Sequence, residues 1–264
     1  MQEDPTFDDA LAMMRDLRAR CDWDRAQTHD SLRPYLIEEA HELDDAIRAA
    51  EPGPLRDELG DMLLQVLFHA VIAEERGEFL ARDVPKALIA KMVKRHPHLF
   101  SGGVREPWEK MKARARASLD EGLPAGLPSL HRAHRLQERA AGVGFDWSDT
   151  EGPAKKVEEE LAEVREQLAT RAPVKPGAVD AVPVRDDAQV ALEAELGDLL
   201  FAVVNLCRRA GVHAALALDG ANDKFVRRFS AVEALAKERG VVMSSATLAE
   251  LDALWDEVKS TERA

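Results

Sequence analysis

The feature that most constrains this chain is an internal repeat of acidic and apolar motifs. Glu58-Leu59-Gly60-Asp61 recurs letter for letter as Glu195-Leu196-Gly197-Asp198, and the apolar residues that follow also match. A tryptophan, a Glu-Glu-x-x-Glu motif, this Glu-Leu-Gly-Asp motif, a Lys-x-x-x-Arg pair and a second tryptophan occur twice in the same order. Because five ordered features seldom agree by chance, the repeat predicts a duplicated domain.

The length of 264 residues allows one or two domains, and the duplication favours two domains of about 115 residues each. The stretch from Glu121 to Ser129 is rich in glycine and proline and predicts a linker. We therefore expect an N-terminal domain at 1–120, a linker with a connecting helix at 121–145, and a C-terminal domain at 146–264.

Apolar residues recur at helical spacing in both copies, and no segment shows a convincing β alternation. The sequence therefore predicts an all-α protein made of two duplicated four-helix domains of antiparallel helices. A helix of the first copy is expected from Pro107 to Ser118. In the second copy, the proline-rich segment 171–187 predicts a long insertion between two helices.

The acidic motifs lie in or beside apolar helix faces, where the burial of a charged carboxylate costs free energy. On a helical wheel, Glu39 falls inside an apolar stripe, Glu42 lies at its edge and Glu38 just outside it. Glu58 and Asp61 begin a helix that is apolar on nearly all sides. Crowded, partly buried carboxylates repel each other and cost several kcal/mol per ion. A divalent cation removes this cost, and ligation by oxygen alone suits Mg²⁺, with Mn²⁺ as a second candidate.

A single acidic motif would be interpreted as a solvated acidic face, but its repetition favours a metal site in each half. Glu38 and Glu159 lie one residue before the ligand face and are candidates for a supporting group or for the base that activates water. The predicted ligands are Glu39, Glu42, Glu58 and Asp61 in the first half, and Glu160, Glu163, Glu195 and Asp198 in the second.

Cations and aromatic residues follow the acidic motifs in each half. Lys91 with Arg95, and Lys224 with Arg228, are pairs on one helical face that could bind phosphates or be ordinary surface charges. Trp108 and Trp255 could stack on a base, although an isolated tryptophan more often belongs to a core. The chain contains no glycine-rich phosphate loop, so nucleotide chemistry would depend on metal ions and carboxylates.

Composition excludes several classes of protein. The net charge of −13 argues against non-specific binding of nucleic acid. Cys21 and Cys207 form no disulfide framework, and no apolar run is long enough to span a membrane. The N-terminus lacks the apolar core of a signal peptide. We therefore expect a cytoplasmic protein without a membrane partner.

The ordered pattern resembles the MazG family of nucleoside triphosphate pyrophosphohydrolases in its two-domain bacterial form, over nearly the whole chain. The resemblance implies an all-α homodimer. It also implies Mg²⁺-dependent cleavage of ribo- and deoxyribonucleoside triphosphates between the α and β phosphates, which clears nucleotides from the pool. The stretches that carry the resemblance include Cys21-Asp22-Trp23-Asp24-Arg25, Arg95-His96-Pro97-His98, Val143-Gly144-Phe145-Asp146-Trp147 and Asn222-Asp223-Lys224-Phe225.

The resemblance also implies a role for each matching residue. Metal ligation falls to Glu160, Glu163, Glu195 and Asp198, triphosphate contact to Lys224 and Arg228, and base stacking to Trp255. The second half is expected to carry most of the activity. The first half keeps every matching residue, so two working sites remain open.

Two other functions stay as alternatives. A non-catalytic regulator that senses nucleotides would use the same ligands as the enzyme. A carboxylate-bridged di-iron protein is also a helical bundle rich in glutamate, but it needs histidine ligands, and the second Glu-Glu-x-x-Glu motif contains none.

Overall fold

A computed structural model describes residues 4–103, 116–171 and 186–262. Within these residues the chain forms helices and no strand, so the predicted all-α class is confirmed. The chain divides into two compact units, Met1–Arg105 and Glu106–Ala264. The expected helix from Pro107 to Ser118, with Trp108, lies almost entirely outside the described residues, as does most of the insertion at 171–187.

The first unit has its acidic motifs on two long helices that pack against each other, α3 and α4. Helix α1 packs against α4, and the core consists of Met14, Leu32, Phe68, Val71 and Ile72. The helices are α1 (Phe7–Arg20), α2 (Asp22–Ala26), α3 (His29–Ala49), α4 (Pro52–Glu75), α5 (Asp83–Arg95) and α6 (Pro97–Phe100).

The second unit repeats this arrangement. Its acidic motifs lie on the packed pair α8 and α9, while α7 packs against α9 and α10, and α10 packs against α11. Val232, Ala236 and Leu254 form its core cluster. The helices are α7 (Ser129–Gly142), α8 (Glu151–Ala169), α9 (Asp187–Arg209), α10 (Ala214–Glu238) and α11 (Leu248–Thr261), with a 3₁₀ turn at Met243–Ser245.

The helix starts follow from local capping chemistry. Thr28 caps α3 in a capping box, since its hydroxyl accepts from the Ser31 N–H and Ser31 bonds back to the Thr28 N–H. The sequence does not separate Thr28 from its neighbours Asp30 and Ser31, which are also good caps. Thr247 and Glu250 form a capping box at the start of α11.

Several apolar helix faces are exposed within each unit. Most of the buried residues of α4 lie in its C-terminal half, and Leu59 near its start is 53% exposed. In α3, Leu32 is buried whereas Ala40 and Ile47 are exposed, which differs from the continuous apolar stripe expected from the wheel. The reason is that α3 packs along α4 on one side only, so part of its stripe has no neighbour within the unit. In the described part of the chain, no helix combines the length and hydropathy that crossing a membrane requires.

Candidate active site

The packing of α3 against α4 brings carboxylates from both helices together in the first unit. One oxygen each from Glu39, Glu58 and Asp61 lies within 4.8 Å of the others. Burial, together with the charges of Asp61 and Glu42, raises the pKa of Glu39. Burial and the charges of Glu42 and Asp61 also raise the pKa of Glu58, whose Oε2 is buried without a hydrogen-bond partner. A bound cation would stabilise the charged form of these carboxylates.

The packing of α8 against α9 builds the corresponding cluster in the second unit. Oxygens of Glu160, Glu163 and Glu195 lie within 4.8 Å of one another, and the side chain of Glu160 is only 6% exposed. A hydrogen bond with Glu160 raises the pKa of Glu163, because two carboxylates can form such a bond only when one is protonated. Burial and the charges of Glu160 and Glu195 act in the same direction. A set of ligand atoms that are all oxygen fits a hard divalent cation such as Mg²⁺.

The fourth predicted ligand of each half lies close to its cluster but outside the closest group of three. The charge of Glu42 acts on both Glu39 and Glu58, which places it beside them. Asp198 is exposed and lines the same cleft as Glu160. The structure thus brings together on each helix pair the carboxylates that the sequence singles out.

A cleft of about 420 Å³ adjoins the second cluster. Glu160 and Asp198 contribute carboxylates to its wall, and three aromatic rings contribute apolar surface. These rings belong to Phe145, Trp147 and Phe201. A cleft with a few charged groups and a mostly apolar, aromatic wall is the usual form of a small-molecule site.

Polar contacts hold the loop between α7 and α8, which carries Phe145 and Trp147. Arg208 of α9 donates to both carboxylate oxygens of Asp146 at 3.1 and 2.5 Å, and Arg209 donates to Asp146 at 3.2 Å. The hydrogen bond from Arg208 lowers the pKa of Asp146. Trp147 packs so closely on Gly152 that a Cβ there would lie 2.0 Å from its Cδ1, so any other residue at this position would displace the ring. Sequence reasoning assigned no role to this loop.

Lys156 is a second residue that sequence reasoning missed. Its Nζ lies 2.8 Å from Glu159 Oε1 and 2.6 Å from Glu160 Oε1, and these contacts raise the pKa of Lys156. It also lines the cleft. The signal was present, because Lys156 precedes Glu160 by four residues and side chains at that spacing meet on a helix. Glu159, the candidate base, is exposed and pairs with Lys156.

The equivalent positions of the first unit are filled by rings. Tyr35 precedes Glu39 as Lys156 precedes Glu160, and Phe68 follows Glu58 as Asn205 follows Glu195. The ring of Trp23 contacts both Tyr35 and Phe68 in edge-on geometry, with centroids 6.4 Å apart in each case. The two halves therefore have the same carboxylates, but the residues next to the carboxylate clusters differ.

Among the described residues, no hydrogen bond or ion pair joins the predicted phosphate-binding cations Lys224 and Arg228 to the carboxylate cluster of the second unit. Arg228 donates to Glu262 Oε2 at 2.7 Å and lies 6.0 Å from the centre of the Trp255 ring. Lys224 is exposed on α10, and among the described residues no hydrogen bond or ion pair joins it to the cluster. In the first unit, Lys91 is exposed on α5 and Arg95 is half-buried, while Trp108 lies outside the described residues.

Paired helices that converge carboxylates beside an aromatic cleft are the arrangement expected of the class of all-α nucleotide pyrophosphatases. The sequence model of the MazG nucleotide pyrophosphohydrolase domain matches residues 27–100 and 150–232. All eight predicted carboxylate ligands lie within these two regions.

Full-length relatives agree with this match. The chain is 41% identical to the nucleoside triphosphate pyrophosphohydrolase/pyrophosphatase MazG of Thermotoga maritima, over 96% of this chain and 95% of that protein. It is 40% identical to the nucleoside triphosphate pyrophosphohydrolase of Escherichia coli K12, with the same coverage. A Bacillus subtilis protein, the uncharacterized YabN, is 41% identical over 97% of this chain and 52% of its own length. The chain belongs to the MazG family, and the predicted enzyme class, a nucleoside triphosphate pyrophosphohydrolase, is confirmed.

Proposed function

We propose that the chain hydrolyses nucleoside triphosphates between the α and β phosphates with Mg²⁺, and that Mn²⁺ can replace Mg²⁺. The products are a nucleoside monophosphate and pyrophosphate, and the biological role is the clearing of ribo- and deoxyribonucleotides from the pool. The observation that carries the proposal is the second carboxylate cluster, with oxygens within 4.8 Å of one another beside an aromatic cleft. Relatives that match nearly the whole chain are named for this activity.

The second unit supplies the residues for this chemistry. Glu160, Glu163, Glu195 and Asp198 would hold the cation, which when bound neutralises phosphoryl charge and makes water a better nucleophile. Glu159 is the candidate to accept the proton of the attacking water, since it lies beside this face and is exposed. Lys156 places a permanent positive charge between Glu159 and Glu160, where it would orient Glu159 and attract a phosphate.

Lys224 and Arg228 are proposed to contact the departing pyrophosphate, whose charge develops in the transition state. Arg228 would exchange Glu262 for phosphate, a substitution of one anion for another at a guanidinium that is 22% exposed. Trp255 would stack on the base. Lys91, Arg95 and Trp108 would serve the first unit in the same way.

A homodimer would cover the exposed apolar faces of the helices that carry these groups. Leu200 of α9 is 59% exposed, and Phe225 and Val226 of α10 are similarly exposed next to the proposed phosphate contact Lys224. Large apolar side chains exposed on several helices would be covered by such an interface. We further propose a cytoplasmic location, with nucleotides rather than nucleic acid or membrane as partners, in keeping with the net charge of −13.

Catalysis is proposed to depend mainly on the second unit. Its cleft adjoins Glu160 and Asp198, whereas Tyr35 and Phe68 occupy the matching positions of the first unit with their rings. Pyrophosphate release from a panel of triphosphates would test the proposal in the matched variants Glu195→Gln and Glu58→Gln. We expect Glu195→Gln to lose about 100-fold or more in rate, as metal sites do when a ligand is lost, and Glu58→Gln to stay within about threefold of wild type.

Three results would contradict the proposal. Full activity in both variants would remove the carboxylate sites from the mechanism. Binding of triphosphates by the wild type without any pyrophosphate release would favour the nucleotide-sensing regulator. Stoichiometric iron in the purified protein would favour the di-iron alternative.

A further inference from the structure

Three histidines meet in the second unit, and none of them belongs to the proposed active site. His131 and His134 lie on α7, and His213 is the residue immediately before α10. The ring centroid of His213 lies 4.5 Å from that of His131 and 4.4 Å from that of His134. The packing of α7 against α10 therefore brings three imidazoles together from two separate parts of the chain.

Two of these imidazoles carry buried nitrogens without partners. The Nδ1 atoms of His134 and His213 are inaccessible to solvent and form no hydrogen bond. A buried polar atom left unpaired in this way costs about 1–3 kcal/mol, so both atoms are expected to gain from a ligand. His213 caps no backbone N–H of α10 with its side chain, so its ring has no role in the start of that helix.

The chemistry of the rings suits a metal. A neutral imidazole has one nitrogen lone pair to offer and is the commonest metal ligand among side chains. His134 Nε2 lies 3.6 Å from Glu138 Oε1, so this ring has a carboxylate near one nitrogen and the buried, unpaired Nδ1 on its other side. A histidine that donates to a carboxylate through one nitrogen and binds a metal through the other is the common arrangement at zinc sites.

We propose that His131, His134 and His213 bind one divalent ion that prefers nitrogen ligands, Zn²⁺, with water as a fourth ligand. Imidazole suits Zn²⁺, whereas Mg²⁺ prefers the carboxylate clusters, so the two kinds of site would take different metals. Among the described residues only the carboxylate groups have three ligand atoms within 4.8 Å of one another, so at least one imidazole rotates about its side-chain bonds to bind. The positive charges of Arg135 and Arg208 near His134 would repel a bound cation, and the negative charge of Glu138 would attract it.

Zinc bound there would tie α7 to the start of α10. The same helix α7 is fixed to α9 by Gln137, whose Nε2 donates to the Phe201 carbonyl at 2.8 Å. Phe201 lines the cleft. The ion would therefore stabilise one wall of the cleft without taking part in the reaction.

The test uses the full chain, stripped of metal with a chelator and then saturated with Mg²⁺ to occupy the carboxylates. Zn²⁺ is titrated against a chromophoric zinc indicator, and Co²⁺ is added separately as a spectroscopic probe. We expect one Zn²⁺ per chain, visible absorption bands of tetrahedral Co²⁺, and binding weakened about 100-fold or more in His134→Ala/His213→Ala. The control His96→Ala/His98→Ala removes the same number of imidazoles from the first unit and should bind as the wild type does.

Two results would overturn the proposal. One is a wild-type chain that binds no Zn²⁺ in excess Mg²⁺ and gives no tetrahedral Co²⁺ bands. The other is Zn²⁺ binding that survives unchanged in the double variant. If the alanine variant fails to fold by circular dichroism, His134→Gln/His213→Gln keeps polar side chains of similar size and replaces it, while the Co²⁺ spectrum of the wild type decides independently of any variant.

Discussion

Replacing Glu160 with glutamine would separate two effects of a buried carboxylate, repulsion of its neighbours and binding of a cation. Glutamine keeps the shape of the side chain but removes its charge from a group whose oxygens lie within 4.8 Å of one another. Two unit charges at that distance repel by about 1 kcal/mol in water and about 3.5 kcal/mol at an effective dielectric constant of 20. The side chain of Glu160 is 6% exposed while its partners reach solvent, so we expect a repulsion between Glu160 and a neighbouring carboxylate of about 1–2 kcal/mol.

The substitution also removes the ion pair between Glu160 and Lys156, which is partly open to solvent and is expected to contribute at most about 1 kcal/mol. The two effects nearly cancel, so the metal-free stability should change by no more than about 1 kcal/mol. The stabilisation that Mg²⁺ provides should differ much more between the wild type and Glu160→Gln. At a concentration of 100 times Kd, a cation stabilises the wild type by about 2.7 kcal/mol, and if Kd rises 100-fold the gain falls to about 0.4 kcal/mol.

Urea unfolding with and without Mg²⁺ measures this difference, in proteins that also carry Glu58→Gln so that only the second cluster responds. Glu166→Gln is the matched control, since Glu166 is an exposed residue of the same helix outside the cluster. We expect the control to keep the full Mg²⁺ effect and Glu160→Gln to lose most of it together with turnover. An equal Mg²⁺ effect in both proteins would refute the assignment of Glu160 as a ligand.

Two further predictions concern the residues around the cleft. Lys156→Met should lower kcat/KM for triphosphates about tenfold, because it removes a cation from the cleft. The control Lys155→Met removes only a solvent-exposed ion pair, so its kcat/KM should stay within about twofold of the wild type. Equal losses of steady-state pyrophosphate release in the two variants would contradict a specific role for Lys156. Since Arg208 lowers the pKa of Asp146 from its ordinary 3.8, the stability that this carboxylate provides is present above pH 3.8 and is lost as the pH falls through the lowered pKa. In urea unfolding at pH 5–7, the free energy of unfolding of the wild type should therefore exceed that of Asp146→Asn by about 1–2 kcal/mol, and this difference should shrink below about pH 4. A difference that stays constant down to pH 2 would contradict the ion pair.

Local spacing in the sequence was enough to predict the carboxylate clusters. Glu160 and Glu163 are three residues apart, and this spacing places them on one face of a helix whatever the rest of the chain does. The repeated motif then predicted that the second helix would supply Glu195, because the same pairing serves the first unit. Lys156 could have been found by the same rule, since it is separated from Glu160 by one helical turn.

The groups beside the clusters depend on contacts between distant parts of the chain. Asp146 and Arg208 are 62 residues apart, and nothing in either local sequence indicates that they form an ion pair. The sequence predicts that the lysine–arginine pair on α10 contacts phosphate, and in the structure Arg228 pairs with Glu262 of the same unit. Helical periodicity shows which face of a helix is polar, but it does not show which other helix that face meets.

What the sequence determined by itself is therefore the helical class, the duplication and the identity of the acidic groups, because each of these follows from periodicity and order along the chain. What only the tertiary structure decided is that a cleft adjoins the second cluster, and that the rings of Tyr35 and Phe68 contact Trp23 at the matching positions of the first unit. The structure alone also brought His131 and His134 to His213. The physical reason is that a side chain's environment is set by the packing of helices far apart in sequence, and many packings are compatible with one pattern of apolar residues.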